Sequence, residues 1–204
     1  MESGNAIVFV VDDELPVREA VRSFVRSVGL RCETFASAGE FLRHAPPDVA
    51  ACLVLDVQLP EGSGLDLQSE MRHAGMEMPI IFITGHGTIP LTVRAMKAGA
   101  EEFLTKPFSE SALLDAIERA LDRDRSERVA RVERQALLAR VATLTRRERD
   151  VFALAAAGRM NKEIAAELGT AEQTVKQHRG RVMEKLGVRS LADLVRVAER
   201  LGPS

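Results

Sequence analysis

The chain contains no tryptophan and no tyrosine, and only 8 phenylalanines, so its cores must be aliphatic. It has only 2 cysteines, Cys32 and Cys52. Both stand among apolar neighbours and neither has metal-ligand spacing, so they read as small buried hydrophobes. Long hydrophobic runs are missing as well. The stretch Ala6–Val11 is apolar but far too short for a signal peptide core or a membrane span, and it runs straight into two acids. These absences predict a soluble cytoplasmic protein with no membrane partner. What is present is ordinary: 204 residues, 46% of them hydrophobic. That is too long for one average domain and suits one of common size plus a small one.

The net charge of −2 hides an asymmetry. Residues 1–108 carry 9 basic and 15 acidic side chains, a net −6. Residues 109–141 carry 7 of each, and residues 142–204 carry 12 basic and 8 acidic, a net +4. An acidic first part and a basic last part suggest two different partners.

The first half alternates strand and helix signals. Short apolar runs at Ala6–Val11, Arg31–Phe35, Ala51–Asp56, Pro79–Thr84 and Glu102–Thr105 read as strands buried on both faces. Helical stripes separate them, such as Val17, Val21, Phe24 and Val28, or Leu91, Ala95 and Ala98. Repeated βα units predict an α/β fold, a doubly wound five-stranded parallel sheet wrapped by helices. In such sheets ligands bind at the carboxyl ends of the strands.

After Phe108 a helix begins with Leu114, Ile117 and Leu121 and runs on into DRDRSERVARVER without a breaker. Asp124/Arg128 and Glu127/Arg131 fall at i,i+4. The spacing predicts a charged linker helix over 123–141, between a first domain at 1–122 and an all-α domain at 142–204. The apolar seam stops after Leu121, so a sustained coiled coil is not supported. In the last part Thr145 with Glu148, and Thr170 with Gln173, fit capping boxes, while Gly158, Gly169 and Gly187 mark helix ends. Four short helices follow, at about Arg146–Ala157, Lys162–Leu168, Ala171–Leu186 and Leu191–Leu201.

The segment AACLVLDVQLPEG places Asp56 at the end of an apolar strand, where a buried charge is costly. The first strand ends in Asp12 and Asp13, the fourth in Thr84, and the fifth just before Lys106 and Pro107. In a parallel sheet these meet at one edge. Three aspartates there repel one another unless a cation sits among them, and oxygen ligands suit Mg²⁺. A carboxylate beside Mg²⁺ can act as a nucleophile toward phosphorus. Lys106 would offset charge on the phosphoryl group and the Thr84 hydroxyl could donate to it. Taken singly, Asp12 and Asp13 could cap the next helix, Lys106 could be a solvated surface lysine, and Thr84 a turn residue.

Val10-Val11-Asp12-Asp13, Leu55-Asp56, Ile83-Thr84-Gly85 and Leu104-Thr105-Lys106-Pro107-Phe108 together resemble the receiver domain of two-component response regulators. The stretch GHGTIPLTVRAMKAGAEEFLTKPF is similar to the FixJ type in particular, and the resemblance implies a flavodoxin-like receiver fold. The resemblance implies that Asp56 accepts a phosphoryl group from a sensor histidine kinase. It implies that Asp13 binds Mg²⁺ directly, Asp12 largely through water, and Gln58 through its backbone carbonyl. Thr84 and Lys106 would hold phosphoryl oxygens, Phe103 would be the switch aromatic, and the Lys106–Pro107 bond would be cis. Phe103 also reads as plain core. Two positions depart from the pattern: Thr88 where close relatives often carry an acid, and Gln58 where many carry Arg or Met.

In the last part, Val175, Val182 and Leu186 share one helical stripe, while Gln173, Lys176, Gln177, Gly180 and Glu184 face the other way. An α-helix fits the DNA major groove. Gly180 allows close approach, Lys176 suits guanine acceptors and Gln177 suits adenine. Arg179, Arg181 and Lys185 lie on the flanks, where phosphates are met. Leu144-Thr145-x-x-Glu148, Asn161-Lys162-Glu163-Ile164-Ala165, Thr174-Val175-Lys176-x-His178 and Lys185-Leu186 resemble the LuxR-type helix-turn-helix. The resemblance adds Asn161, Lys162, Thr174 and His178 to the DNA interface, with a packing role equally open for His178. It implies that the last helix, through Leu191, Leu194 and Val195, pairs two subunits on DNA. Gln177 replaces a common Val, and Ala171 a frequent capping Ser.

Together these readings predict a NarL/FixJ-type regulator, not an enzyme. Phosphorylation would drive homodimerisation and binding of double-stranded promoter DNA, with RNA polymerase as a further partner and activation as the outcome. A receiver that masks the DNA-binding helix until phosphorylated is an open alternative. An Mg²⁺-dependent phosphohydrolase using Asp56 is the rival from another class, but Gln58 stands where that chemistry wants a second acid. No Gly-x-Gly-x-x-Gly follows the first strand, which argues against a dinucleotide-binding enzyme.

Overall fold

The structure is a computed structural model that describes residues 6–45, 47–60, 62–85 and 87–201. The chain divides into two compact units, the first ending at Arg128 and the second starting at Val129.

In the first unit the apolar runs become strands β1 (Ile7–Val11), β2 (Arg31–Phe35) and β3 (Ala51–Asp56). A two-residue hairpin follows, β4 (Gln58–Leu59) and β5 (Gly62–Ser63), then β6 (Ile80–Thr84) and β7 (Glu102–Thr105). Helices α1 (Leu15–Ser27), α2 (Ala38–Leu42), α3 (Gly64–His73), α4 (Ile89–Lys97) and α5 (Glu110–Ala142) alternate with them. The main sheet is wholly parallel, in the order β2-β1-β3-β6-β7, so the predicted doubly wound fold is present.

The strand period of two sorts the sheet's side chains into two cores. Val8, Val10, Cys52, Val54, Ile81 and Ile83 face Val21 and Val25 of α1 and Leu113, Ile117 and Leu121 of α5. Ile7, Phe9, Val11, Leu53, Leu55 and Phe82 face Phe41, Leu67, Met71 and Ala95 of α2, α3 and α4. Only the three central strands are buried throughout; β2 and β7 are partly exposed because each is an edge. Both cysteines are buried and unbridged, as predicted, and burial pushes the Cys32 thiol up to about 11 and the Cys52 thiol higher still. No helix among the described residues is long and apolar enough to cross a membrane.

The helix assigned to a linker is one continuous element from Glu110 to Ala142, and both units use it. Asp124 makes the i,i+4 pair with Arg128, at 3.8 Å, but from a buried position, where its Oδ2 also accepts the Ala51 N–H at 2.9 Å at the start of β3. Leu137 and Val141, further on, pack against the core of the second unit.

That second unit adds α6 (Arg146–Ala156), α7 (Asn161–Leu168), α8 (Glu172–Leu186) and α9 (Leu191–Leu201). Leu144, Val151, Ile164, Val175, Val182 and Leu194 form its core. The Thr145–Glu148 capping box is formed in both directions. The Thr170–Gln173 box is not: the N-cap of α8 is Ala171, with no side-chain cap. Thr170 is committed to the previous helix, where its N–H donates to the Ala165 carbonyl at 3.0 Å beside Gly169 in the left-handed conformation.

Candidate phosphoacceptor site and nucleic-acid interface

Parallel pairing aligns the ends of β1, β3, β6 and β7 on one edge. Oxygens of Asp12, Asp13 and Asp56 lie within 4.8 Å of one another. Asp12 and Asp56 are buried, and Asp13 is exposed. Local backbone fixes the two buried groups: Asp12 Oδ1 accepts the Glu14 N–H at 2.8 Å, and Asp56 Oδ1 accepts the Gln58 N–H at 2.8 Å. Lys106 completes the cluster. Its Nζ donates to Asp12 Oδ2 at 2.8 Å, to Asp56 Oδ2 at 2.6 Å and, more distantly, to Glu14 Oε1 at 3.4 Å. The chain delivers it there because the Lys106 N–H extends the β6–β7 pairing to the Thr84 carbonyl at 2.7 Å; the Lys106–Pro107 bond is cis.

The electrostatics follow from burial. Burial raises the Asp12 carboxyl above its ordinary value, although Lys106 and the Glu14 N–H both pull it down. The same burial disfavours the Lys106 ammonium, but hydrogen bonds to Asp12 and Asp56 outweigh it and hold its pKa above the usual lysine range. Three carboxylates, counting Glu14, share one ammonium, and Asp13 adds a fourth negative group beside them. This all-oxygen, charge-deficient set fits a hard divalent cation such as Mg²⁺, as receiver domains generally bind. Asp12, Asp13 and Asp56 would hold it.

Thr84 is fully buried at the end of β6. Phe103, half-buried on β7, has its ring centroid 6.4 Å from that of Phe82. Gly87 shows how closely the segment after Thr84 lies on this pair. A Cβ there would come within 2.7 Å of Thr105 Cγ2 and 3.3 Å of Phe103 Cε1. Gly64, after the β4–β5 hairpin, is tighter still, since its Cβ would meet the Asp56 carbonyl oxygen at 2.4 Å. Neither glycine, nor the hairpin that carries Gln58, drew notice in the sequence, because such close approach appears only once distant strands are assembled.

In the second unit Gln173, Lys176, Gln177, Gly180 and Arg181 are exposed on α8, opposite the buried Val175 and Val182. Lys162 is exposed on α7 and Thr174 is half-buried. Arg179 donates through Nη1 to Asn161 Oδ1 at 3.0 Å, tying α8 to the start of α7. His178 is half-buried, and its buried Nδ1 has no hydrogen-bond partner, which favours packing over DNA contact for this ring.

Two assignments change. Lys185, read as a phosphate contact, donates to Glu148 Oε2 at 2.6 Å and to the Thr143 carbonyl at 3.0 Å. Glu148 is itself buried, accepts the Thr145 N–H at 2.8 Å, and is held down to about 2 by Lys185 first and that N–H second. The charge of Lys185 is thus spent inside the unit. Leu194, read as a pairing residue, is fully buried in the core, whereas Leu191 is exposed and Val195 half-buried. A helix with one face inward takes its central leucine for the core.

Residues 8–118 match the response regulator receiver domain, and residues 142–198 match the luxR family of bacterial regulatory proteins. Nodulation protein W of Bradyrhizobium diazoefficiens is 54% identical over 202 residues, 99% of this chain and 89% of that protein. The response regulator protein TodT of Pseudomonas putida is 44% identical over all of this chain and 90% of its own length. The solved structure of the response regulator StyR superposes with a TM-score of 0.82 at 52% identity, covering 96% of this chain and 99% of that one. The chain belongs to the two-component response regulators of the NarL/FixJ type, a transcriptional regulator with a receiver domain and a luxR-family DNA-binding domain rather than an enzyme.

Proposed function

We propose that Asp56 takes a phosphoryl group from a sensor histidine kinase in the cytoplasm, and that the modified chain pairs with a second copy and activates transcription from promoter DNA, with RNA polymerase as its partner. The observation that carries this reading is the meeting of Asp12, Asp13 and Asp56 within 4.8 Å, with Lys106 bonded to two of them.

The step is a substitution at phosphorus. A carboxylate oxygen of Asp56 attacks the phosphorus of a phosphohistidine, the P–N bond breaks, and the leaving imidazole keeps the electron pair and takes up a proton. A bound Mg²⁺ supplies charge neutralisation of the phosphoryl oxygens. Lys106, already on Asp56 Oδ2, follows that oxygen and compensates the added charge. The Thr84 hydroxyl turns to donate to the phosphoryl group, and Phe103 moves into the space that Thr84 leaves. This is a local charge event biasing a two-state element. Its readout lies on α4 and β7, where Ile89, Val93 and Met96 stand exposed at helical spacing. Large exposed apolar side chains in one stripe suit pairing of two copies. The exposed Gln173, Lys176, Gln177 and Arg181 then meet adjacent half-sites.

The test is acetyl phosphate with Mg²⁺ on the full chain and on Asp56→Asn, read by intact mass and size-exclusion elution. We expect one added phosphoryl group and a shift to dimer, both lost in the variant. An unchanged mass in the wild-type chain, or phosphorylation that survives in Asp56→Asn, would sink the proposal.

A further inference from the structure

The second unit contains a groove that the DNA-binding reading does not use. It lies between the last part of α5, the turn after α8, and α9, and its volume is about 1040 Å³. Five arginines line it: Arg134 and Arg140 from α5, Arg189 from the turn, and Arg196 and Arg200 from α9. Against them stand Glu133 and Asp193, so five guanidinium groups and two carboxylates leave a net +3. The carboxylates engage Arg200, at 3.7 Å, and Arg196, at 2.8 Å. Arg140 donates to the Leu186 carbonyl at 3.3 Å. Among the described residues, Arg134 and Arg189 have no ion-pair partner.

The groove wall also has an apolar part, formed by Leu137, Leu186, Val188 and Val197. Leu186 and Val197 belong to the buried core, so this wall is backed by rigid packing. Gly187 closes α8 in the left-handed conformation that favours glycine, and a Cβ there would lie 3.1 Å from Arg140 Nη1, so Arg140 packs close over this turn.

We infer that this groove binds a nucleoside polyphosphate, with the planar base on the apolar wall and the phosphates on the arginines. Arg196 and Arg200 are largely exposed and screened by water, but the five guanidinium groups outnumber the two local carboxylates and leave donors turned to an anion. Arginine is suited to phosphate because its planar fork donates paired hydrogen bonds. The volume is of the order of ligand pockets, roughly 300–1,000 Å³. A duplex backbone offers phosphates but nothing to cover the apolar wall, and none of the five arginines is on the exposed face of α8. A bound nucleotide would bridge α5 and α9. The inference does not depend on Asp56, so it can be tested in Asp56→Asn, where failure of the phosphorylation reading leaves it untouched.

The experiment titrates the full-length Asp56→Asn chain with ATP and, separately, with inorganic tripolyphosphate, by calorimetry at 0.15 M salt without added Mg²⁺. The same titrations are made on Arg134→Gln/Arg196→Gln and on the control Arg159→Gln, an exposed arginine outside the groove. Far-UV circular dichroism checks that each variant is folded. We expect one saturable ATP site, at least tenfold weaker binding of tripolyphosphate, at least tenfold loss of ATP affinity in the double variant, and no change in Arg159→Gln. Absence of saturable binding overturns the inference. So does equal binding of both probes, since the groove would then sense charge alone. If the double variant weakens binding of a random duplex as much as it weakens ATP, the groove is a contact to the DNA backbone and the proposal is wrong.

Discussion

The charged groups of the first unit's site come from positions 12, 13, 56 and 106, and only the sheet brings them together. Those of the second unit's face lie between positions 173 and 181, on three turns of one helix. In the first case the charges are packed against one another, two of the carboxylates are buried, and each is held by a backbone N–H as well as by Lys106. In the second the side chains project into solvent from a helix whose other face is core. A site that changes its own covalent state needs groups fixed at bonding distance. A surface that reads another molecule needs groups free to reach it. The difference teaches where stability and function are entangled: they are joined at Lys106 and separable on most of α8.

The largest effect that would test this contrast is expected at Lys106. Its side chain is 17% exposed and neutralises two buried carboxylates. Breaking a buried ion pair by removing one partner costs about 3–5 kcal/mol, and partial access of water here lowers that to about 2 kcal/mol. Lys106→Met should therefore lose stability in EDTA by urea unfolding, and Mg²⁺ should restore more stability to the variant than to the wild type. If the variant is as stable as the wild type in EDTA, the charges are not coupled and the contrast between the units fails.

Glu148 and Lys185 are the exception within the second unit, where charge is buried as it is in the first. Glu148→Gln should cost about 1–3 kcal/mol, the usual loss on weakening a hydrogen bond between charged groups. The pH dependence follows from the direction of the shift. The ordinary glutamate value is 4.5 and the folded value is about 2. The pair's contribution is therefore complete above pH 4.5 and disappears as pH falls toward 2, because protons then bind the unfolded chain first. Over that window the wild-type chain should lose stability more steeply than Glu148→Gln in parallel denaturant titrations. Parallel curves would show that the pair is decorative.

How far the sequence alone reaches depends on the range of the interactions involved. The five strands, their parallel direction and the edge position of Asp12, Asp56, Thr84 and Lys106 follow from local hydrophobic patterns plus one topological rule. The Thr145–Glu148 box is legible because both partners lie within one helical turn. Thr170 misled because the same residue type caps a following helix or closes a preceding one, and the left-handed Gly169 decided for the latter. The burial of Asp124 and Leu194 and the inward bonding of Lys185 escape the sequence for a shared reason: each is charged or apolar in a local pattern that permits two faces. Ala51, 73 positions away from Asp124, and Glu148, 37 positions away from Lys185, determine which face is used. No periodicity records such partners.

The smallest predicted effect separates two residues that look alike in the sequence. Arg181 and Lys185 both flank the exposed face of α8 and both read as phosphate contacts. Arg181 is exposed and has no ion-pair partner among the described residues, whereas Lys185 is tied to Glu148 and Thr143. Loss of one phosphate contact lowers the slope of log affinity against log salt by about 1, uniformly across DNA sequences. Arg181→Gln should do this and leave unfolding within about 0.5 kcal/mol of the wild type, as surface substitutions do. Lys185→Gln should do the reverse, keeping the salt slope and lowering the unfolding midpoint. Salt titrations of DNA binding by fluorescence anisotropy, paired with urea unfolding of the same samples, measure both quantities. Equal salt slopes for the two variants would return Lys185 to the DNA interface, and with it the view that α8 spends all its positive charge on the partner rather than partly on its own fold.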